Sequence, residues 1–267
     1  MSNRVWLLVP AAGVGSRMQA DRPKQYLSLL DRPIIEHTLE RLISALPDAN
    51  VVLCLNPDDP YWPQTRFAQE TVFSQLQVVA GGKERCDTVL NGLKAIAKQA
   101  DDDDWVLVHD VARPCVQIDD IHTLIERLSD DPVGGILALP VADTMKRTRS
   151  AQSDADNTDD SVDDDSTYDD STYDDSTYDI PRIDQTVDRN QLWHALTPQM
   201  FRYGLLVKSL SQALEQNITI TDEASALEWA GYQPSLVCGQ RDNIKVTHPD
   251  DLYFAELYLK AQKESLI

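Results

Sequence analysis

Cysteine is scarce in this 267-residue chain, which has only Cys54, Cys86, Cys115 and Cys238. None is paired as Cys-x-x-Cys, and no histidines stand at ligand spacing around them. That argues against a disulfide framework and gives no basis for a structural zinc site. The N-terminal apolar run extends only from Val5 to Ala12. It is too short for the apolar part of an export signal or for a bilayer span, so a cytoplasmic location with no membrane partner is expected. Basic charge is in deficit, with 24 Lys and Arg against 44 Asp and Glu, a net charge of −20. A nucleic-acid scaffold needs a basic face, so no nucleic-acid partner is expected. Much of the deficit is local: residues 151–179 hold 12 Asp and no Lys or Arg. Outside that stretch 32 acidic side chains face 24 basic ones, a net −8. Such a chain can still hold a small anionic ligand with a few local cations. Its length and 42% hydrophobic content suffice for one large domain with a protruding segment.

Apolar patterning sets the organisation. Val5–Val9 reads as a buried strand followed by a glycine-containing loop over residues 10–26. Pro33 opens a helix, with Ile34, Ile35, Leu39, Leu42 and Ile43 at helical spacing. Val51–Leu55, Val78–Ala80, Trp105–His109 and Ile136–Val141 read as further strands. Helices follow the second and third of these, marked by Val89, Leu90 and Leu93 and by Ile121, Leu124 and Leu128. Strands alternating with amphipathic helices predict an α/β fold: a doubly wound, mostly parallel, Rossmann-like sheet with helices on both faces. Ligands of such sheets bind beyond the carboxyl ends of the strands. Those ends carry the loops Pro10–Tyr26, Gly81–Thr88 and Asp110–Cys115.

The second half is less regular. Residues 151–179 carry a tandem Ser-Thr-Tyr-Asp-Asp repeat, which buries too little apolar surface to offset chain entropy and is expected to be a disordered loop. Arg182–Asp188 is extended, and Leu192–Met200 reads as a compact, turn-rich segment. Gly204–Leu214 and Glu223–Ala230 read as helices, the second capped by Thr221 or Asp222. Leu236–Cys238 and Ile244–Val246 read as strands, and Thr247-His248-Pro249-Asp250 starts a C-terminal helix.

The first loop reads Pro10-Ala11-Ala12-Gly13-Val14-Gly15-Ser16-Arg17-Met18, then Pro23-Lys24-Gln25-Tyr26. Met18 stands where a dinucleotide fingerprint has its third glycine, and no Gly-Lys-Ser/Thr follows, so neither that fingerprint nor a P-loop is present. Gly13-x-Gly15 alone also fits a tight turn with two surface cations. Small residues let backbone N–H groups approach a phosphate, and Arg17 and Lys24 can flank it. The whole string resembles the nucleotidyltransferases that join nucleoside triphosphates to phosphorylated sugars and polyols. More strings occur in register: Gly81-Gly82-Lys83-Glu84-Arg85-Cys86-Asp87-Thr88-Val89, Val108-His109-Asp110-Val111-Ala112-Arg113-Pro114 and Asp143-Thr144-Met145-Lys146. Asp188-Arg189-Asn190-Gln191-Leu192-Trp193, Thr197-Pro198-Gln199, Thr221-Asp222-Glu223-Ala224 and Asn243-Ile244-Lys245-Val246-Thr247 complete the series. Together they resemble the 2-C-methyl-D-erythritol 4-phosphate cytidylyltransferase family of the non-mevalonate isoprenoid pathway.

That resemblance implies a single nucleotidyltransferase domain over 1–267, with an extended dimerisation arm over 143–189 that contains the insert at 151–179. It implies CTP and methylerythritol phosphate as substrates, Mg²⁺ as cofactor, and a homodimer whose active sites are shared through the arm. Arg17, Lys24 and Lys245 would be catalytic. Ala11, Ala12, Gly13, Gly15, Gly82, Thr88 and Asp110 would bind the nucleotide. Thr144, Arg189, Thr197 and Thr221, with Asp110 and Lys245, would bind the polyol phosphate. Asp110 is the expected metal ligand alongside the CTP phosphates. Thr88 replaces the usual serine, Lys83 an acidic residue of some relatives, and the insert interrupts the arm. Alternative readings are a ribitol-phosphate or sugar-phosphate nucleotidyltransferase, or a non-catalytic nucleotide-binding protein with an acidic interaction arm. The nucleophile, a phosphate monoester with a second pKa of about 6, is already a dianion, so no general base is assigned. His109 and His122 are read as structural.

Overall fold

The computed structural model describes residues 4–13, 18, 20–70, 75–148 and 181–264. Gly15, Arg17 and the acidic insert lie outside them. The chain divides into two compact units, Met1–Leu139 with Ala195–Ile267, and Pro140–His194. The strands are β1 (Val5–Ala11), β2 (Ser28–Leu29), β3 (Arg32–Pro33), β4 (Asn50–Leu55), β5 (Leu76–Ala80), β6 (Trp105–Val108), β7 (Gly134–Pro140), β8 (Met145–Thr148), β9 (Ile183–Val187), β10 (Trp193–Arg202) and β11 (Ser235–Cys238). The helices are α1 (Ile34–Ala45), α2 (Arg66–Gln69), α3 (Arg85–Ala95), α4 (Ile118–Leu128), α5 (Tyr203–Glu215), α6 (Glu223–Trp229) and α7 (Pro249–Glu264).

Seven strands form one sheet in the order β11-β7-β10-β6-β1-β4-β5. β1 pairs in parallel with β4 and β6, β4 with β5, and β7 with β11. β10 runs antiparallel to β6, with Gln199 opposite Val108 and Arg202 opposite Trp105. The mostly parallel, doubly wound sheet is therefore present. Its unbroken apolar strands follow from burial on both faces. Leu7 and Val9 of β1 pack with Leu39 and Leu42 of α1 and Leu124 of α4. Their neighbours Trp6 and Leu8 pack on the other face with Leu93 of α3, Leu206 of α5 and Leu227 of α6. Each fully buried leucine contributes about 2 kcal/mol. A third cluster joins Met18 and Ile34 to Val246, Ala255 and Leu259. α7 is thereby held against the segment that carries Lys245.

Two expectations are corrected. Leu192–Met200 is not turn-rich, because Trp193–Arg202 forms the long strand β10. Pro198 counts against a strand in the sequence, but burial overrides it: Leu196 and Met200 enter one core face and Phe201 the other. Ile244–Val246 is not a strand. Val246 is held instead by one backbone bond, its N–H donating to the Ala112 carbonyl at 2.8 Å, and by burial of its side chain. α7 starts as expected, with the Thr247 and His248 N–H groups both donating to Asp251 Oδ2 at 2.8 Å.

The smaller unit contains an antiparallel hairpin, β8 with β9, in which Met145 faces Val187 and Lys146 faces Thr186. Lys146 Nζ donates to Thr186 Oγ1 at 2.6 Å, and the Val141 N–H donates to the Leu192 carbonyl at 2.9 Å. Every hairpin side chain except that of Val187 is exposed. Among the described residues no helix is long and apolar enough to cross a membrane.

Gly134 has φ +116°, and a β-carbon there would run into the Met200 carbonyl oxygen of the neighbouring strand. Gly134→Ala is expected to cost about 2–4 kcal/mol in urea unfolding. A loss below about 0.5 kcal/mol would show that β7 does not need this conformation.

Candidate active site

A cavity of about 440 Å³ is built by the end of β1 and residues following β1, β5 and β6, together with Lys24, Gln25, Lys245 and Thr247. Each wall has a local cause. Buried Gln25 donates from Nε2 to the Ala11 carbonyl at 2.9 Å, tying the 3-10 turn Lys24–Tyr26 to the end of β1. Tyr26 anchors the same turn by donating its hydroxyl to Asp59 Oδ2 at 2.7 Å. Burial pushes the Tyr26 hydroxyl pKa well above its usual value, with Asp59 adding to the shift. The turn sets Lys24 on the cavity wall beside Ala11, Ala12 and Gly13.

The second wall is the Gly81–Thr88 loop. Gly81 N–H donates to the Leu55 carbonyl at 2.7 Å. Thr88 Oγ1 accepts from Gly82 N–H at 3.0 Å and donates to the Glu84 carbonyl at 2.9 Å. A capping box between Glu84 and Asp87 starts α3 at the cavity edge. A β-carbon on Gly81 would strike Ala12, and one on Gly82 would strike Asp87, so this loop needs glycine at both positions. The N-terminal end of α3 adds partial positive charge to this wall.

The floor is Asp110, 7% exposed. Lys245 Nζ lies 2.9 Å from Oδ2, Arg85 Nη2 3.0 Å from Oδ1, and Arg113 Nε 3.8 Å from Oδ2. Burial alone would raise its pKa, but the three cations outweigh that and hold it far below the usual carboxylate range. The Asp110 N–H donates to Thr197 Oγ1 at 3.1 Å. That hydroxyl lies 3.1 Å from His109 Nδ1, and His109 Nε2 lies 3.1 Å from the Arg113 carbonyl. Thr197 as donor to Nδ1 leaves His109 Nε2–H donating to Arg113, a neutral imidazole. Burial pushes its pKa down to about 4, which fits a structural role. Arg113 Nη1 donates to the Asn243 carbonyl, and Asn243 Nδ2 donates to the Thr197 carbonyl, both at 2.8 Å.

Of the residues singled out in the sequence, Ala11, Ala12, Gly13, Lys24, Gly82, Thr88, Asp110 and Lys245 line this one cavity. Thr197 lies behind Asp110 with its hydroxyl engaged. Thr221 is exposed before α6 and is not among the described lining residues. Thr144 and Arg189 belong to the smaller unit, where Arg189 Nη1 donates to the Ala142 carbonyl. Sequence reasoning missed Arg85 and Glu223. Arg85 Nη1 and Nη2 donate to Glu223 Oε1 and Oε2 at 2.7 and 3.0 Å, and its Nε donates to Asp110 Oδ1 at 3.1 Å. Both stood inside quoted motifs, but their pairing spans 138 positions and left no local signal.

The family model described as 2-C-methyl-D-erythritol 4-phosphate cytidylyltransferase (IspD) matches residues 5–162 and 176–261, omitting part of the acidic repeat. A curated relative of that name from Vibrio vulnificus (strain CMCP6) is 50% identical over 257 residues, 96% of this chain and 95% of the relative. One from Ectopseudomonas mendocina (strain ymp) is 48% identical over 253 residues, 94% of each chain. A crystal structure of 4-diphosphocytidyl-2C-methyl-D-erythritol synthase superposes with TM-score 0.73 at 34% identity, covering 97% of this chain and 99% of that one. The Francisella tularensis 2-C-methyl-D-erythritol 4-phosphate cytidylyltransferase structure gives TM-score 0.72 at 30% identity, covering 96% of this chain and 99% of that one.

The Thr88 hydroxyl ties the second wall together. Thr88→Val is expected to weaken nucleoside triphosphate binding about tenfold, the worth of one or two ordered hydrogen bonds, while Thr88→Ser stays within about twofold. Equal affinities of Thr88→Val and Thr88→Ser by titration calorimetry would contradict the assignment.

Proposed function

The chain belongs to the 2-C-methyl-D-erythritol 4-phosphate cytidylyltransferase family, and from that premise we propose how its residues divide the work. The enzyme transfers a cytidylyl group from CTP to 2-C-methyl-D-erythritol 4-phosphate in isoprenoid precursor biosynthesis. A polyol-phosphate oxygen bonds to the α-phosphorus, the bond from that phosphorus to the β-phosphate oxygen breaks, and pyrophosphate leaves. The nucleophile is a dianion near neutral pH, so the barrier is electrostatic rather than one of proton removal. A buried, neutral His109 agrees with the absence of a base.

Lys24 and Lys245 surround the transferring group, and Arg17 is the third cation of the proposal. The single observation that carries this assignment is that Lys24 and Lys245 share one cavity with Asp110 and the start of α3. Arg85, Arg113 and Lys245 against the carboxylates of Asp110 and Glu223 leave the ion-pair cluster one positive charge in excess. Ala11, Ala12, Gly13 and Gly15 approach the nucleotide with backbone groups, and Gly82 and Thr88 shape the wall for base and ribose. Thr197 and Thr221 serve the polyol-phosphate site, Thr197 by holding the Asp110 backbone, and Thr144 and Arg189 are contributed to it by a second subunit.

Mg²⁺ is the proposed cofactor. Asp110 is a carboxylate on the cavity wall, and no cluster of three acidic, His or Cys ligands exists among the described residues. That donor set fits a hard cation carried mainly by triphosphate oxygens, for which Asp110 would be the protein ligand. When bound, it supplies charge neutralisation on the triphosphate. Residues 143–189 form the proposed dimerisation arm of a single domain over 1–267, sharing Thr144 and Arg189 with a second subunit. The exposed Met145 and Ile183 of the hairpin support a partner there. A cytoplasmic setting completes the reading.

Pyrophosphate release from CTP should require methylerythritol phosphate and Mg²⁺; release without the polyol phosphate, or none with it, would refute the assignment. Lys24→Ala and Lys245→Ala should each lower kcat about 100-fold or more, roughly 3 kcal/mol, with the fold retained, although Lys245→Ala also takes one of its three cations from Asp110 and should lower the thermal midpoint. Deleting residues 153–178 should leave kcat within about threefold, because loop length carries only a slowly growing entropy cost. A large change in KM for either anionic substrate would instead tie the insert to the site.

A further inference from the structure

Glu223 is a charged group of the network that the reaction does not use. It is 1% exposed, does not line the cavity, and has Arg85 as its side-chain partner. Burial raises its pKa and Arg85 opposes that shift, so the carboxylate is an expensive group to retain without a task. Its backbone is fixed on two sides. Asp222 Oδ1 accepts from the Ser225 N–H at 2.9 Å. Gln199 of β10 accepts from the Ala224 N–H at 2.9 Å and donates to Asp222 Oδ2 at 2.8 Å. β10 in turn pairs with β6, whose end carries Asp110.

Arg85 opens α3 on the cavity wall, and its side chain is 29% exposed. A guanidinium held from one side only would be free to take triphosphate oxygens in its two-pronged geometry. Here Nη1 and Nη2 are committed to Glu223, and Nε and Nη2 to Asp110. Resting on the cytidylyltransferase reading above, we propose that Glu223 is a positioning residue: its grip on Arg85 keeps that guanidinium against Asp110 and out of the path of the phosphates. Asp110 then retains a fixed cation while Lys245, 39% exposed on the opposite oxygen, is free to exchange towards substrate.

The test is Glu223→Gln in the full-length enzyme, read by kcat, by CTP affinity from titration calorimetry, and by a cycle with Arg85→Gln. The expected result is a fall in kcat of about tenfold or more with CTP binding unchanged or tighter, because misplacement rather than lost contact is the defect. In the Arg85→Gln background, adding Glu223→Gln should change kcat by less than about twofold, since the two act as one unit. Three results would overturn the proposal: kcat within about twofold of the parent, CTP affinity falling in step with kcat, or additive effects in the cycle. If Glu223→Gln does not fold, Glu223→Asp carries the test, keeping the charge but withdrawing it by one methylene. It should lower kcat by about threefold without weakening CTP binding, and no change would sink the idea. A parent enzyme that releases no pyrophosphate would refute the cytidylyltransferase reading, while the CTP affinities still report on Arg85.

Discussion

A carboxylate taken out of water reverts to its neutral acid unless cations hold the proton away. Asp110 is buried at the end of β6 and is held ionised by Arg85, Arg113 and Lys245. Arg85 opens α3, Arg113 follows Asp110 in the same loop, and Lys245 precedes α7. Three separated segments must therefore arrive together before this charge is compensated. Removing any one cation leaves a buried charge short of a partner, which is why such a cluster resists piecemeal change. The cavity floor is a product of the complete fold rather than of one motif.

The sheet supplies the rigidity that this convergence needs. With both faces of β1, β4 and β6 covered by helices, the strand ends have little freedom, and the loops leaving them inherit fixed starting points. β10, running opposite to β6, adds a second frame behind the site. Thr197 holds the Asp110 N–H, Gln199 holds the start of α6, and the Asn243 side chain ties the Lys245 segment to β10. Chemistry without a base depends on this stiffness, because donors that must reorganise lose most of their electrostatic advantage.

The alternation of apolar strands and amphipathic helices was legible in the sequence because period and burial coincide. Loops that break the pattern with Gly81, Gly82 and Asp110 do fall at strand ends beside one cavity. β10 was not legible, because Pro198 and its polar neighbours mask a strand whose Leu196, Met200 and Phe201 are satisfied only by tertiary burial. Ile244–Val246 failed in the opposite sense, its two apolar residues serving a loop pinned by one backbone bond. Thr88 and Thr197 carry hydroxyls of the kind a ligand would use, yet both are engaged within the protein. Side-chain type reports capacity to bond, and only coordinates report whether that capacity is already taken. The Arg85–Glu223 pair lies at the far limit of legibility, since nothing local links a residue at the start of α3 to one at the start of α6.

Charge shows the same separation of scales. A chain of net charge −20 binding two polyanions looks contradictory if charge is treated as a single number. Screening at physiological salt confines exposed charges to about 8 Å, whereas a desolvated cluster interacts at short range and low effective dielectric. Carboxylates beyond that distance lower the local anion concentration only weakly. Four basic side chains, Lys24, Lys83, Arg85 and Lys245, stand on the wall of one cavity, so their charges are felt inside it at short range whatever the sum over the chain. Binding sign is therefore set by which charges share a desolvated volume, and the acidic repeat can lengthen without reversing it as long as it stays outside that volume.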